Sequence, residues 1–222
     1  MKQLALFDLD STLLRGDSDH AWGEFLCEKK RRDPQTYRQR NNQYYQQYQE
    51  GTLDIQEFLA FSLAPLAEIP LRTLKQLRAE FLGTLIPQQV AKNIQAQLQQ
   101  HLDQGDTCVI ITATNDFITK PIADYFGANL IATQAEFRDG RYTGQPQGLP
   151  CFKANKISRL TDWLLDNQFS LNDFSNTFFY SDSINDLPLL EWVKCPVVVN
   201  PDSSLLKIAN QCGWPHLPHE TE

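Results

Sequence analysis

The sequence lacks the features that mark membrane proteins and nucleic-acid-binding proteins. Within its 222 residues, no uninterrupted apolar run reaches the roughly 18 residues that a membrane-spanning helix needs. Lys and Arg number 20 against 27 Asp and Glu, and the net charge of −7 disfavours general binding to nucleic acid or to an anionic membrane. Asp8 and Asp10 also interrupt any hydrophobic region of a signal peptide. We therefore expect a cytoplasmic protein that binds neither nucleic acid nor membrane.

Cysteine is scarce and shows no pattern. The five cysteines include no CxxC pair and no Cys/His spacing typical of metal ligands. Their odd number disfavours a disulfide framework or a zinc site and favours reduced thiols. The four histidines have no metal-ligand spacing either, and we interpret them as surface or packing residues.

What the sequence does contain is an alternation of short apolar runs and helical segments. The runs are rich in Val, Ile, Leu and Phe, as in strands covered on both faces, and lie at 4–9, 108–112, 129–133, 177–181 and 196–199. The helical segments are one from Pro87 to Gly105, then Asp116 to Phe126, about Lys153 to Asn167, and Asp202 to Cys212. This alternation predicts an α/β fold with a doubly wound, Rossmann-like parallel sheet.

The first crossover is far longer than the others, and residues 16–85 have only helical patterns. We therefore predict an all-helical cap at 16–85, inserted after the first strand, and an α/β core formed by 1–15 and 86–222. Residues from Trp214 onward are expected to form a loosely held tail.

Two of the predicted strands end in pairs of carboxylates. Asp8 and Asp10 follow the first strand, and Asp182 and Asp186 follow the strand at 177–181. Ligands of open α/β sheets bind beyond the carboxyl ends of the strands, and Mg²⁺ prefers one or two carboxylates together with water and phosphate oxygens. The pattern favours a hard-cation site with Asp182 as a direct ligand. Asp186 would hold the metal's water or a lysine, with Asn185 assisting; an Asx-rich loop before a helix is the structural alternative.

Asp8 in this setting is a candidate nucleophile on phosphorus, which would form an aspartyl-phosphate. Asp10 would protonate the leaving oxygen and later activate the hydrolytic water. Because a phosphate ester repels a carboxylate, this chemistry requires positive charge nearby. The same residues are also compatible with a solvated strand end in which Ser11 or Thr12 caps a turn.

Two further positions are candidates for phosphate binding. Thr112 ends a strand just before a helix, where its hydroxyl and backbone amides such as that of Ala113 suit a phosphate oxygen. An ordinary helix cap explains the same residues. Lys156 lies in the first turn of a helix, where the macrodipole disfavours a cation. It is either a surface lysine or a group that neutralises a transferring phosphoryl group.

In this order, the motifs resemble those of the haloacid dehalogenase (HAD) superfamily of aspartate-nucleophile phosphohydrolases over essentially the whole chain. The matching residues are Asp8-x-Asp10-x-Thr12, Thr112, Lys156 and Asp182-x-x-x-Asp186. The helical insertion resembles the C1-type cap of that superfamily. The segment from Tyr180 to Leu190 is similar to subfamily IB, which contains phosphoserine phosphatases and histidinol-phosphatases. The segment from Asp17 to Trp22 is similar to the bacterial histidinol-phosphatase branch.

The resemblance implies a role for each matching residue. Asp8 would be the nucleophile and a Mg²⁺ ligand, and Asp10 the acid/base that also binds Mg²⁺ through its backbone carbonyl. Asp182 would complete the metal site, and Thr112 and Lys156 would hold phosphate.

Asp17 falls where phosphoserine phosphatases carry a Glu that contacts the substrate's amine, and a helix cap is its alternative role. The expected activity is Mg²⁺-dependent hydrolysis of a small phosphorylated metabolite, with histidinol phosphate or phosphoserine as substrate, because both carry an amine that Asp17 or Asp19 could meet. Phosphoryl transfer to a sugar, as in HAD phosphomutases, and a catalytically silent scaffold are alternatives. Dehalogenation is disfavoured because it needs neither Asp10 nor a metal. The cap is expected to select the substrate, and the oligomeric state is left open.

Overall fold

The structure is a computed structural model that describes residues 2–220. Its strands are β1 (Leu4–Phe7), β2 (Thr107–Asn115), β3 (Asn129–Arg138), β4 (Arg141–Gln147), β5 (Thr177–Ser181), β6 (Cys195–Val199) and β7 (His216–Leu217). Within the described residues they form one seven-stranded sheet in the order β4-β3-β2-β1-β5-β6-β7. All neighbours pair in parallel except β3 and β4, which are antiparallel. The mostly parallel α/β fold class is thereby confirmed.

Single helices alternate with most of these strands, but five helices follow β1 and a tight turn alone joins β3 to β4. The helices are α1 (Ser18–Glu28), α2 (Pro34–Gln49), α3 (Ile55–Glu68), α4 (Leu71–Gln89), α5 (Lys92–Asp103), α6 (Asp116–Phe126), α7 (Asn155–Asp166), α8 (Leu187–Trp192) and α9 (Ser203–Cys212). Across residues 2–220, every helix is too short or too polar to span a bilayer.

The central strand β1 supplies apolar side chains to both faces of the sheet. Ala5 and Phe7 belong to one buried cluster, which also contains side chains from α1, α3, α4, α5 and α6. Leu4 and Leu6 belong to a second cluster, built with α7, α8 and α9. Because successive side chains of a strand point to opposite faces, the unbroken run Leu4–Phe7 fills both layers of the core.

The predicted helix ends agree with the structure at two glycines and disagree at one proline. Gly127 and Gly213 end α6 and α9 in left-handed conformations, with φ of 67° and 68°. Pro87, however, lies inside the last turn of α4, so the prediction that it opens a helix is wrong. Val90 pairs with Leu14 in an antiparallel bridge, and this extended pairing delays the start of α5 until Lys92.

Two strands were missed by the sequence analysis. β4 is polar and contains Pro146, which is tolerated because β4 is an edge strand. Its signal was the turn Asp139-Gly140, in which both residues have positive φ, as tight hairpins require. β7 pairs with β6, and the side chain of His219 contacts the Thr12 carbonyl at 2.8 Å, so the expectation of a loosely held tail is wrong up to residue 220. The last two residues lie outside the described part of the chain.

The segment 16–85 forms α1, α2, α3 and most of α4, and it contains no strand in the described chain. The two connections between this segment and the sheet run next to each other. The Arg15 amide donates to the Gln89 carbonyl at 2.7 Å, and the Ala91 amide donates to the Leu13 carbonyl at 2.9 Å. α1, α3 and α4 share a continuous apolar cluster with β1 and β2 and are therefore packed directly onto the sheet. α2 contributes Tyr44 to a separate cluster with Leu53 and Phe152.

Candidate active site

Asp8 follows β1 at the centre of the sheet, between the ends of β2 and β5. Its side chain is buried, and Oδ1 accepts a hydrogen bond from Lys156 Nζ at 2.9 Å. Oδ2 has no hydrogen-bond partner among the described residues. Burial is the largest influence on this carboxyl, and together with the charges of Asp186 and Asp10 it raises the pKa of Asp8 to about 7, against the opposing effect of Lys156. The structure thus presents a buried carboxylate with one free oxygen.

Lys156 is the cation of the site and is not a surface residue. Only 1% of it is exposed, and Nζ contacts Asp186 Oδ2 at 2.8 Å in addition to Asp8. Asp186 in turn accepts a hydrogen bond from Ser181 Oγ at 2.7 Å. Burial alone would lower the pKa of Lys156, but Asp186 and Asp8 raise it above its ordinary value. Lys156 is therefore charged, although it lies in the first turn of α7.

Asp10 is held at both carboxylate oxygens. The chain turns sharply after β1, with Ser11 in the left-handed region at φ 56°. This turn places Asp10 Oδ1 2.6 Å from the Ser18 amide at the start of α1, and Oδ2 2.7 Å from Thr114 Oγ1 on β2. Burial and then the charge of Asp17 raise the pKa of Asp10 to about 7. Such a carboxyl can both donate and accept a proton near neutral pH.

Asp182 lies beyond β5 and is hydrogen-bonded to Thr12, which follows Asp8 and Asp10 in the chain. Thr12 Oγ1 donates to Asp182 Oδ1 at 3.0 Å. Burial, followed by the charges of Asp8 and Asp186, raises the pKa of Asp182 well above its ordinary value. Among the described residues, Lys156 is the one cation that pairs with Asp8 and Asp186, and with Asp10 and Asp182 nearby, negative charge is in excess.

The donor set fits a hard cation that keeps part of its water shell. The described residues contain no group of three or more His, Cys, Asp or Glu side chains that could hold a metal ion by themselves. Two carboxylates, Asp8 and Asp182, and the main-chain carbonyl of Asp10 offer oxygen donors only, which suits Mg²⁺ rather than a thiol- or imidazole-seeking metal. The unpartnered Asp8 Oδ2 and the excess of buried negative charge both favour a cation here.

The predicted phosphate-binding residues are divided between two places. Thr112 and Ala113 line the pocket in front of Asp8, and Thr112 Oγ1 accepts a hydrogen bond from the Thr114 amide at 3.2 Å. Asn185 is buried, but it does not line this pocket. Its amide group donates to the Tyr48 carbonyl at 2.9 Å, so it links the end of α2 to the loop after β5.

The structure confirms Asp17 as a helix cap and places it where contact with a substrate stays a prediction. Asp17 is the N-cap of α1, where its Oδ1 accepts a hydrogen bond from the His20 amide at 2.7 Å. Its side chain also lines the pocket in front of Asp8. Burial raises the pKa of Asp17 above its ordinary value.

The pocket in front of Asp8 is lined mainly by acidic, aromatic and threonine side chains. Its lining consists of Asp8, Asp10, Asp17, Asp19, His20, Asn41, Tyr44, Tyr45, Tyr48, Leu53, Ile55, Phe58, Thr112, Ala113, Thr114 and Phe152. Sequence reasoning missed several of these residues. Thr114 could have been found, because it lies two residues after Thr112 on the same face of β2. Asp19 was expected only as an alternative to Asp17 for contact with the substrate's amine, since its direction depends on the rotation of α1.

Known proteins with similar sequences and structures support the resemblance of the motifs. Residues 5–191 match the family described as haloacid dehalogenase-like hydrolase. A histidinol-phosphatase from Neisseria meningitidis serogroup C (strain 8013) is 45% identical over 219 residues, which cover 98% of this chain and 99% of the relative.

Two solved structures resemble the whole chain. A protein of unknown function from Bordetella pertussis Tohama I is 42% identical, with a TM-score of 0.92 and 98% coverage of both chains. A substrate-bound phosphoserine phosphatase has a TM-score of 0.67 over 98% of this chain and 93% of its own, but at 16% identity it shows only a common fold. The predicted enzyme class, a phosphatase, is confirmed by these similarities. The chain belongs to the haloacid dehalogenase-like hydrolase family.

Proposed function

We propose that the protein is a Mg²⁺-dependent phosphomonoesterase that acts through an aspartyl-phosphate, and that its substrate is histidinol phosphate. The observation that carries the proposal is the buried Asp8 carboxylate, whose Oδ2 is unpartnered while Oδ1 contacts Lys156. Such a carboxylate at the base of a pocket suits nucleophilic attack on phosphorus. The name of the relative from Neisseria supports the substrate.

In the first half of the reaction, Asp8 Oδ2 attacks the phosphorus and the bond from phosphorus to the substrate's alcohol oxygen breaks. Asp10 gives its proton to that oxygen, so the alcohol leaves uncharged. In the second half, Asp10 takes a proton from a water whose oxygen attacks the phosphorus. The bond between Asp8 and phosphorus then breaks, which releases phosphate and restores both carboxyls.

The surroundings of Asp10 suit this double role. The Ser18 amide and the Thr114 hydroxyl fix both oxygens, and the pKa of about 7 lets the group exchange a proton near neutral pH. Asp8 needs the opposite state, since a nucleophile must be ionised. Lys156 lowers the pKa of Asp8, and additional positive charge would lower it further.

Mg²⁺ would be held by Asp8, Asp182 and the backbone carbonyl of Asp10. When bound, it would offset the negative charge of the phosphate and of the carboxylates around it. Lys156, the hydroxyl of Thr112 and the amide of Ala113 would hold phosphate oxygens, and Asp186 would keep Lys156 in position.

Residues 16–85 would act as a cap over a core formed by 1–15 and 86–222. The hydrogen bonds that join this segment to the core near the pocket include those from Asn185 to the Tyr48 carbonyl at 2.9 Å and from Lys153 Nζ to the Gly51 carbonyl at 2.8 Å. A cap that opens and closes at these contacts would admit the substrate and exclude water during turnover. We also propose a cytoplasmic location, to which the free thiols of all five cysteines are suited.

The test is release of phosphate from histidinol phosphate, phosphoserine and p-nitrophenyl phosphate, with Mg²⁺ and with EDTA. Wild-type protein is expected to release phosphate only with Mg²⁺, and fastest from histidinol phosphate. Asp8→Asn, which keeps the size of the side chain, is expected to be inactive. Asp124→Asn serves as the control, because it removes an exposed carboxylate of α6 that pairs with Lys120 far from the pocket lining. An active Asp8→Asn enzyme would contradict the assignment of the nucleophile.

A further inference from the structure

Asp19 is a buried carboxylate that the proposed mechanism does not use. It lies in the first turn of α1, is 7% exposed, and lines the same pocket as Asp8 and Asp10. Its Oδ2 atom has no hydrogen-bond partner among the described residues. The helix dipole favours an acidic residue in the first turn, but this effect gives the buried Oδ2 atom no hydrogen-bond partner. Because a buried, unpaired carboxylate is costly, the position is suited to a cationic ligand group.

The charges around Asp19 strengthen this argument. The described residues that line the pocket include four aspartates and no Lys or Arg. Lys156 is already held between Asp8 and Asp186. Arg40 lies outside the lining, where it contacts the Tyr44 hydroxyl at 3.0 Å. An ammonium group entering the pocket would therefore be attracted, whereas a carboxylate would be repelled by the four aspartates.

We infer that Asp19 binds the substrate's ammonium group and that this subsite selects phosphate monoesters of amino alcohols that carry no carboxylate. The inference rests on the proposed phosphatase function and narrows its substrate class. Phosphoserine, which carries a carboxylate beside its amine, is therefore expected to be a poor substrate. Histidinol phosphate, which has the amine without the carboxylate, is expected to be a good one.

The rest of the pocket is compatible with this class. Tyr44, Tyr45 and Phe58 form an aromatic wall that suits a flat ring on the alcohol. Asp17 contributes a second negative charge, but one of its oxygens is already used to cap α1. Burial, and then the charges of Asp17 and Asp10, raise the pKa of Asp19 well above its ordinary value. A cation beside Asp19 would offset these effects.

The experiment compares kcat/KM for histidinol phosphate, phosphoserine and p-nitrophenyl phosphate in the wild type, Asp19→Asn and Asp19→Glu. Asp19→Asn keeps the size of the side chain and removes the charge. We expect it to lower the ratio of kcat/KM between histidinol phosphate and p-nitrophenyl phosphate by about 10- to 100-fold, mainly through KM. Asp19→Glu keeps the charge, and we expect its ratio to lie closer to that of the wild type than the ratio of Asp19→Asn does. Asp124→Asn removes only a surface carboxylate, and its ratio should equal that of the wild type.

Two results would overturn the inference while leaving the phosphatase function intact. One is an unchanged ratio in Asp19→Asn, whatever the absolute rates. The other is a wild-type enzyme that hydrolyses phosphoserine as well as histidinol phosphate. If the wild type released phosphate from none of the esters, the proposed function would fail instead. Calorimetric binding of histidinol would then still test the subsite, since equal affinities of wild type and Asp19→Asn would refute it.

Discussion

The Nζ atom of Lys156 lies 2.9 Å from Oδ1 of Asp8, and both side chains are almost completely buried. The same ammonium group contacts Asp186. One cation thus links the residue that ends the first strand with a residue beyond the fourth parallel strand of the chain. The pair leaves Oδ2 of Asp8 free, and under the proposed function the ammonium group of Lys156 would supply positive charge to a bound phosphate.

Replacing Lys156 with Met is expected to abolish phosphate release and to destabilise the fold. Asp8 and Asp186 would remain buried without their cation, and breaking a buried ion pair from one side costs about 3–5 kcal/mol. Urea unfolding followed by circular dichroism measures this loss. Lys120→Met is the matched control, because Lys120 forms an exposed i,i+4 pair with Asp124 and its removal should cost less than about 1 kcal/mol. Equal losses in the two variants would contradict the assigned importance of the buried pair.

Much of this centre could be predicted because Asp8, Thr112 and Asp182 lie at or just beyond the ends of adjacent parallel strands. The carboxyl ends of parallel strands lie at one edge of a sheet, so the positions of these residues in the sequence were sufficient to predict that they come together. The burial of Lys156 was not predictable in the same way, since a residue in a first helical turn faces the sheet or the solvent according to the helix's rotation. For the same reason, the sequence offered Asp19 only as an alternative to Asp17 for contact with the substrate's amine. The direction of Asp19 depends on how α1 packs against the sheet, which is a tertiary effect that local patterns do not contain.

Thr114→Val tests whether the hydroxyl of Thr114 positions Asp10. The hydroxyl donates to Asp10 Oδ2 at 2.7 Å and lowers the pKa of that carboxyl. Its removal is expected to reduce kcat about 10-fold or more with little change in KM, because a hydrogen bond to a charged group is lost. The pH–rate profile should also move to higher pH, since the pKa of Asp10 rises. Thr114→Ser keeps a hydroxyl and should resemble the wild type; a Ser variant as impaired as the Val variant would point to packing instead.

Removal of Mg²⁺ is expected to destabilise the protein most at neutral and alkaline pH. The pKa values of Asp8 and Asp10 are raised to about 7, so between about pH 4 and about pH 7 the folded, metal-free protein binds more protons than the unfolded chain. Its free energy of unfolding therefore falls as pH rises through this window. Mg²⁺ replaces those protons, and at a concentration 100 times its Kd it adds about 2.7 kcal/mol.

Thermal unfolding with Mg²⁺ and with EDTA, at the two ends of this pH range, measures the effect. Asp182→Asn should shrink the stabilisation by Mg²⁺, and the amide oxygen of Asn can still accept the hydrogen bond from Thr12. The same stabilisation by Mg²⁺ in Asp182→Asn and in the wild type would exclude Asp182 as a ligand.

Asp19→Asn is expected to make the free protein more stable at the expense of its activity on an amine-bearing ester. The raised pKa of Asp19, caused first by burial and then by Asp17 and Asp10, means that the folded state retains a proton that the unfolded chain has lost. The contribution of Asp19 to stability is therefore complete below its ordinary pKa of about 3.9, and it is lost as pH rises toward the raised value. Asn has no charge to bury, so the gain in the variant should grow with pH to about 1–3 kcal/mol.

Urea unfolding at about pH 4 and about pH 8 tests this prediction, since the two proteins should differ little at the lower pH and clearly at the higher one. Asp124→Asn, an exposed position, should show no such divergence. A variant less stable than the wild type at the higher pH would mean that Asp19 has a partner within the fold. Greater stability combined with a lost preference for the amine is the result expected of a residue whose favourable partner is the substrate.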